Sequence, residues 1–531
     1  MSNKVLMAIA ACAAITTAAH AAEGAPQSKV WQDFAESNSE NVLPDFSYAG
    51  YKCGEVAIPT VKQMKLKWFD VTDFGAVASD GASDRDAFIA AIAAAEANGG
   101  GVIYFPEGEF EIHAEEDPDQ TIFIRSSNTI IKGAGRNKSK ILLSTPYHPT
   151  NPEQLWTSPT AIGFSPKGGI KAIGTVTADA PRGSFTIEVS STKGLKAGDW
   201  INVNLPFNNS EELVRQELGD YYDQMNNSVL IKKQGVHVDD FHQIKSISGN
   251  VITMVEPIVY AVESRWGWKV DKIPYLENVG VEDITFQGDC LDDYVHHRTW
   301  NDDGGYKAVF FSRTVDSWIR RTDFIHITEA VSFTLSARVS AFDIHVSGKR
   351  GHSSIRSQNS VRAFIGKVFD YSDSQTVKGA GQWHAVGVSK HSLAAVLWRN
   401  EWGLDANFEA HASQPRATLI DACQGGFIRL RQGGGEAQLP NHLGDLVIWN
   451  FEATASEPER SWQWWDSETI WTRFTAPVIV GYHGAELIFE PSQTLIEESH
   501  GEPVEPESLY EAQLIRRLGK LPSWLKELKK L

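Results

Sequence analysis

The chain has 531 residues and is acidic, with a formal net charge of −18 against 42% hydrophobic residues. That length admits one large solenoid or two to three ordinary domains. The charge argues against nucleic-acid binding, whereas a polyanionic substrate stays admissible because a local basic groove can sit on an acidic body.

Residues 1–22 read as an export signal. Lys4 supplies the positive start, Val5 to Ile15 the apolar stretch, and Ala19-His20-Ala21 the small-residue cleavage site. The stretch is too short to span a bilayer, and no other segment looks transmembrane. The expected product is secreted or periplasmic. Ile9-Ala10-Ala11-Cys12 also resembles a lipoprotein box, so anchoring at Cys12 is the alternative. Cys53, Cys290 and Cys423 fit buried free thiols better than a disulfide framework or a zinc site.

Residues 23–67 form a polar N-terminal extension. At 68–112 a strand (Trp68-Phe69-Asp70-Val71) runs into a Gly/Asp turn, an alanine-rich helix, the break Gly99-Gly100-Gly101, the strand Val102-Ile103-Tyr104-Phe105 and a further turn and strand. Ala87, Phe88, Ala91, Ile92 and Ala95 recur at helical spacing and define one apolar stripe. Ser83 and Asp84 are expected to cap this helix, and Asn98-Gly99 to end it.

This succession resembles the N-terminal cap of the pectate-lyase superfamily. The resemblance implies an all-β, single-stranded right-handed parallel β-helix (a solenoid) with an N-terminal capping helix. Its members include lyases, hydrolases, epimerases and phage tailspikes, so the fold leaves the activity open. Cap and first coils are expected over 68–170. Residues 171–275, with half-exposed strands such as Ser184 to Val189, read as a small β-rich insertion. The main β-helix returns over 276–500. Ala341, Ala363, Ala395 and Ala417 align at steps of 22, 32 and 22, where 22 suits one coil. The longer step places an excursion loop at Gln375–Trp383, and the alignment would stack His345, Lys367, Arg399 and Asp421 in one column. Residues 501–531 are expected to be a C-terminal helix.

Two basic, histidine-rich segments carry the chemistry: His345 to Asn359, which includes Lys349, Arg350, His352, Arg356 and Asn359, and Trp383 to Ser392, which includes His384, Lys390 and His391. Stacked coils would make them neighbours, with Arg313, Arg320, Arg321 and Arg338 on the coils before, forming a basic groove. Elimination at a uronic acid needs such a mixture. The carboxylate must be neutralised before the C5 proton becomes acidic, and a neutral His or a Lys or Arg of lowered pKa must remove that proton. His352 or His384 is the expected base, and Gly351 should leave the His352 ring accessible. Lys349 and Lys390 are rival bases. Arg350, Arg356 or Arg399 would hold the carboxylate. Tyr306 and Tyr371 are candidate acids. Trp383, His391, Arg338 and Asn359 complete the expected substrate-binding set.

Asp302 and Asp303, in an Asn-Asp-Asp-Gly turn that loosely resembles polygalacturonase-like hydrolases, suit Ca²⁺ or acid–base work. Glu401, Asp405, Glu409 and His411 are the other carboxylate group, without a defensible metal-binding spacing. The function expected is a secreted lyase, acting as a monomer on a uronic-acid-containing glycan with or without sulfate. A β-helix hydrolase and a non-catalytic glycan-binding surface protein are the alternatives.

Overall fold

The computed structural model describes residues 24–469 and 472–531; the expected export signal and Cys12 lie outside them. Parallel strands stack coil upon coil. The longest ladder starts at Trp68–Asp70 and Gly101–Phe105. It passes through Gly280–Gln287, Trp318–Ile325, Ser340–Ser347 and Phe364–Asp370 and ends at Ile496–Glu498. A second parallel face has seven strands: Ile122–Ile124, Thr160–Phe164, Lys307–Ser312, Glu329–Thr334, Ser353–Gln358, Gly387–Ser389 and Glu409–Ala410. Between the faces one continuous interior encloses Ile284, Phe286, Phe311, Phe333, Ile344 and Ile355. A single coil cannot bury its own apolar residues, so stacking supplies the stability. The chain is an all-β parallel β-helix.

Helix Arg85–Ala97 covers the first coil with the stripe read from its sequence, and Phe88 meets Phe105 edge-on at 5.1 Å. Asp84 does not cap it. Its carboxylate instead accepts from the backbone of Val77 (2.8 Å) and Glu111 (3.2 Å), tying the turn to the next strand.

Within the insertion, six antiparallel strands run from Lys171–Thr175 to Lys269–Lys272. They dock on the solenoid through buried charges. Arg338 pairs with Glu256 at 2.5 Å and with Asp316, and Arg362 pairs with Asp240 at 2.8 Å. Arg338 is therefore a structural bridge and not the substrate-binding residue expected.

The N-terminal extension is less polar in character than its sequence suggests. It buries Phe34, Leu43 and Phe46 and interlocks with the C-terminus, where Tyr510 donates to the Ala49 carbonyl at 2.9 Å and Gln513 to that of Pro44 at 2.9 Å. The expected single C-terminal helix is two, Leu509–Leu518 and Ser523–Leu528, broken at Gly519 with φ 73°. Arg399 pairs with Glu507 (2.7 Å) and Glu511 (2.8 Å) beside this region, so it holds the C-terminus and not a substrate carboxylate.

Coil lengths vary, which shifts the expected columns. Thr314, Ser336, Ser360 and Ser392 stack by hydrogen bonds across steps of 22, 24 and 32 residues. His345 accordingly lies beside Phe369 and then Glu401, and Trp398 beside Asp421, so the His345–Lys367–Arg399–Asp421 column does not form. Among the described residues no helix is long and apolar enough to cross a membrane, and Cys53, Cys290 and Cys423 are free and buried.

Candidate active site

The seven-stranded face positions the site. Lys307, Glu329 and Ser353 are laterally paired, and Ser353 pairs on to His384. Three residues further along the coils, Ser332, Arg356, Gly387 and Glu409 form another row. Gly387 leaves a gap in that row. Arg356 reaches across it to Glu409, Nη2 to Oε2 2.9 Å, off-line for a hydrogen bond. A Cβ on Gly387 would lie 2.6 Å from the Glu409 carbonyl oxygen and 2.9 Å from its Cβ.

His352 and His384 stand one above the other, their backbones joined by His384 N–H to the His352 carbonyl at 2.9 Å, ring centroids 5.1 Å apart. The loop between Gly280–Gln287 and Lys307–Ser312 brings His296 and His297 over them. His296 lies 5.1 Å from His384 and 5.5 Å from His352 between centroids, and His297 5.6 Å from His352. Four imidazoles thus share one corner. His384 is 1% exposed and His352 6%, whereas the His297 side chain is 55% exposed. A polysaccharide can touch His297; it cannot reach the two rings beneath.

Charge around this corner is fixed by burial and partners. Burial, with His352 and His297 adding to it, drives the His296 imidazole down to about 3, and burial holds His384 well below its usual value although Glu409 opposes it. Both rings are neutral. Burial pushes Glu409 and Glu329 up, but Arg356, His384 and His411 around Glu409, and Lys307, His352 and Arg356 around Glu329, more than offset it; Glu329 falls to about 2. His411 Nδ1 also pairs with Glu409. Lys390 is exposed as a residue, yet burial of its amine end and the Arg356 charge lower its affinity for a proton.

The sequence reading located this corner through His352, His384, Arg356 and Lys390, and several of its assignments change. His352 and His384 form the floor and do not face a sugar. Gly351 serves close packing, since a Cβ there would lie 2.2 Å from the Ile327 carbonyl oxygen, and it does not open a path to the His352 ring. Lys349 is paired with Asp289 (2.7 Å) and Asp292 (3.0 Å), which raises its pKa and removes it as a base. Arg350 is bound to Asp405 at 2.7 Å. Trp383 carries Arg431 at 3.5 Å over its ring and stacks on His296 at 5.0 Å, so it walls the cluster instead of offering a free sugar platform. Asn359 occupies a left-handed turn position, φ 46°, a conformation Asn tolerates. His391 lies with His237 and Asp239 of the insertion, 4.1 Å from His237 between centroids. Tyr306 is buried, and Tyr371 donates to Glu401 at 2.8 Å. Asp302 pairs with Arg298 at 2.7 Å and Asp303 with His297 at 2.5 Å, which leaves no Ca²⁺ cradle at that turn. Sequence reasoning missed His296 and His297; the signal was a His-His pair in a long connection between strands, directly before Arg298 and the two aspartates.

Two family models match the chain. One described as "Rhamnogalacturonase A/epimerase, pectate lyase-like" covers residues 68–270, and one described as a domain of unknown function, DUF4955, covers 381–528. Mannuronan C5-epimerase AlgE3 of Azotobacter vinelandii is 47% identical over 74 residues, 14% of this chain and 4% of that protein. Alginate lyase 7 of the same organism is 39% identical over 75 residues, 14% of this chain and 9% of that protein. This chain therefore spans only a small part of the length of these relatives. Among solved structures, the tailspike gp49 of Pseudomonas phage LKA1 aligns over 79% of this chain and 71% of its own, with TM-score 0.47 and 13% identity. The AlgE4 A-module of Azotobacter vinelandii aligns over 81% and 91%, with TM-score 0.35 and 14% identity. The stacked parallel coils make this a parallel β-helix protein, and residues 68–270, the cap, first coils and most of the insertion, are similar to the pectate-lyase-like family model.

Proposed function

We propose that the protein is an enzyme that modifies an acidic polysaccharide at this corner, by β-elimination at a uronic acid residue. The observation that carries the reading is Lys390, exposed as a residue, with its proton affinity lowered by burial of its amine end and by the Arg356 charge, directly after the strand Gly387–Ser389 that pairs with Arg356. Lys390 takes the C5 proton, the electron pair forms the C4–C5 double bond, and the C4–O4 bond breaks. The leaving oxygen collects a proton from the half-buried imidazole of His411. Arg356 offsets the uronate carboxylate during proton removal. The short matches to proteins named as a mannuronan C5-epimerase and an alginate lyase support an acidic glycan as substrate. The export signal read at residues 1–22 would deliver the enzyme to such a glycan outside the cytoplasm.

Hydrolysis by a carboxylate pair is less well supported. It needs one carboxyl of raised pKa as general acid. After the upward push of burial, His297 still lowers Asp303, Arg350 and Arg431 lower Asp405, and Arg356 lowers Glu409. Incubation with a panel of polyuronates distinguishes the readings. Ultraviolet absorbance of the conjugated unsaturated product marks elimination. New reducing ends without it mark hydrolysis and would overturn the proposal. A changed uronate stereochemistry with neither marks epimerisation, which shares the proton removal but spares the C4–O4 bond. Binding without any of these marks a glycan-binding protein.

A further inference from the structure

The same four histidines have a geometry that elimination chemistry alone does not require. His384 Nε2 and His296 Nε2 lie 3.3 Å apart. Two imidazole nitrogens held at about 2.0–2.1 Å by one tetrahedral ion are separated by about 3.4 Å. One ligand atom from each of His296, His297 and His352 also lies within 4.8 Å of the other two. His296, His297 and His352 thus converge on a common point, with His384 Nε2 next to His296.

Two of the rings, His384 and His297, have one nitrogen already engaged. His384 donates Nδ1–H to the Arg431 carbonyl at 2.8 Å, which leaves Nε2 as the nitrogen facing His296. His297 Nδ1 is 2.5 Å from the Asp303 carboxylate, and Asp303 is 3% exposed and also accepts the His297 backbone N–H at 3.0 Å. His352 Nδ1 faces Glu329 at 3.4 Å. Carboxylate or carbonyl on one nitrogen and lone pair on the other is the arrangement that orients metal-binding histidines. His352 supplies the strongest sign of a missing partner: the residue is 6% exposed, and neither ring nitrogen has a hydrogen-bond partner in the protein. A buried polar atom left so is costly, and a bound cation satisfies it.

We propose that His296, His297 and His352 bind one divalent transition-metal ion of the zinc class, with His384 Nε2 beside His296 as the nearest further donor. The donor set decides the class: all-imidazole sites suit Zn²⁺, Co²⁺, Ni²⁺ or Cu²⁺, whereas Ca²⁺ and Mg²⁺ require oxygen ligands. Asp303, Glu329 and the Arg431 carbonyl are positioning groups. The site stands on its own geometry. Only its use, as the positive charge that offsets the uronate carboxylate, rests on the elimination reading above.

The test is metal binding by the whole chain, with no activity needed. Protein stripped with a chelator is titrated with Zn²⁺ by calorimetry and with Co²⁺ by visible absorption. One equivalent of Zn²⁺, with the intense d–d bands of tetrahedral Co²⁺, is expected. His297→Ala, at the exposed ring and so a low folding risk, should abolish the bands. Asp303→Asn should weaken Zn²⁺ binding 10- to 100-fold. His345→Ala, on another part of the solenoid, should change nothing. No stoichiometric binding, or binding that survives His297→Ala and His352→Ala in folded protein, overturns the proposal. So does binding that is lost in His237→Ala, which would move the site to the cluster of His237, Asp239 and His391. Metal binding without elimination would leave the site standing and remove the elimination reading.

Discussion

At the residue scale the arrangement turns on what is absent at position 387. Gly387 is a gap that lets Arg356 reach Glu409, and Glu409 in turn pairs with His411 and lies 3.6 Å from His384. Gly387→Ala would place a methyl against the Glu409 backbone and Cβ. The strand end must shift to relieve it. We expect a loss of about 1–3 kcal/mol in stability, as for overpacked sites, with a proportionally larger loss of activity. Thermal unfolding beside kcat measures the two; activity unchanged in a folded variant would show that Glu409 placement is irrelevant. Lys390 gives a pH prediction. As the base it works deprotonated, and its proton affinity is lowered from the ordinary 10.5 by burial and by Arg356. Elimination should therefore rise with pH and level off below that ordinary value. Lys390→Met should cost at least about 100-fold in kcat with melting unchanged, and Lys390→Arg, which keeps the charge but not the base, should lose as much. A pH–rate profile unchanged in Lys390→Arg would exclude Lys390 as the base.

The element scale is where the insertion meets the solenoid. Arg338 is 1% exposed between Glu256 and Asp316, which belong to different parts of the structure. Arg338→Met would take the arginine from buried Glu256, while Asp316 keeps Lys52 at 2.7 Å, and about 3–5 kcal/mol of destabilisation is expected, partly restored by adding Glu256→Gln. Burial pushes Glu256 up, but Arg338 and His242 hold it at about 2, and Arg362 with His242 likewise brings Asp240 to about 2. Folded-state values below the ordinary 4.5 and 3.8 mean that this stability is present above them and disappears as pH falls toward 2. Tryptophan fluorescence of the insertion, through Trp200 and Trp268, should therefore report undocking on acidification before loss of the solenoid core; simultaneous loss of both would contradict it. This interface also marks the limit of reading the sequence. The cap stripe from Ala87 to Ala95 was legible because helical periodicity is local. The step of 22 residues was legible because some coils keep it. Register was not, because turns lengthen other coils, and the aligned alanines hide that Ala341 lies beside Ile365. Arg338 and Arg399 looked like groove residues because their acidic partners, Glu256 and Glu507, are far away in sequence. Arg356 and His384 were found because they sit on successive coils of the same face, and Glu409 follows on the next; His296 and His297 were not, because no periodicity predicts where a long loop folds back.

For the whole molecule, the expected basic groove on an acidic body does not survive inspection of its partners. Arg320 is paired with Glu282 at 2.7 Å, Arg321 with Asp283 at 2.5 Å, and Arg313 donates to the carbonyls of Gly168 (2.7 Å) and Pro166 (2.8 Å). Lys349, Arg350, Arg338 and Arg399 are likewise neutralised. Of the groove residues, Arg313 and Lys390 have no carboxylate within ion-pair distance among the described residues; with part of Arg356 and the proposed metal they are the local positive charge left for a substrate. Around it the chain carries a formal −18. Long-range attraction of a polyanion is therefore not available, and capture must rely on short-range contacts at the corner. The two arrangements predict opposite salt effects. A basic groove would lose kcat/KM as salt screens attraction. This surface should gain, because screening weakens repulsion between an acidic protein and an acidic glycan. The Debye length shrinks from about 30 Å at 0.01 M to about 8 Å at 0.15 M, which leaves contacts within the corner largely intact while silencing the rest of the surface. Initial rates on a polyuronate across that range, with kcat/KM rising and kcat nearly constant, are the expected result. A steady fall in kcat/KM would mean that a positive field does steer the substrate, and the neutralising pairs described above would then have to open when it binds.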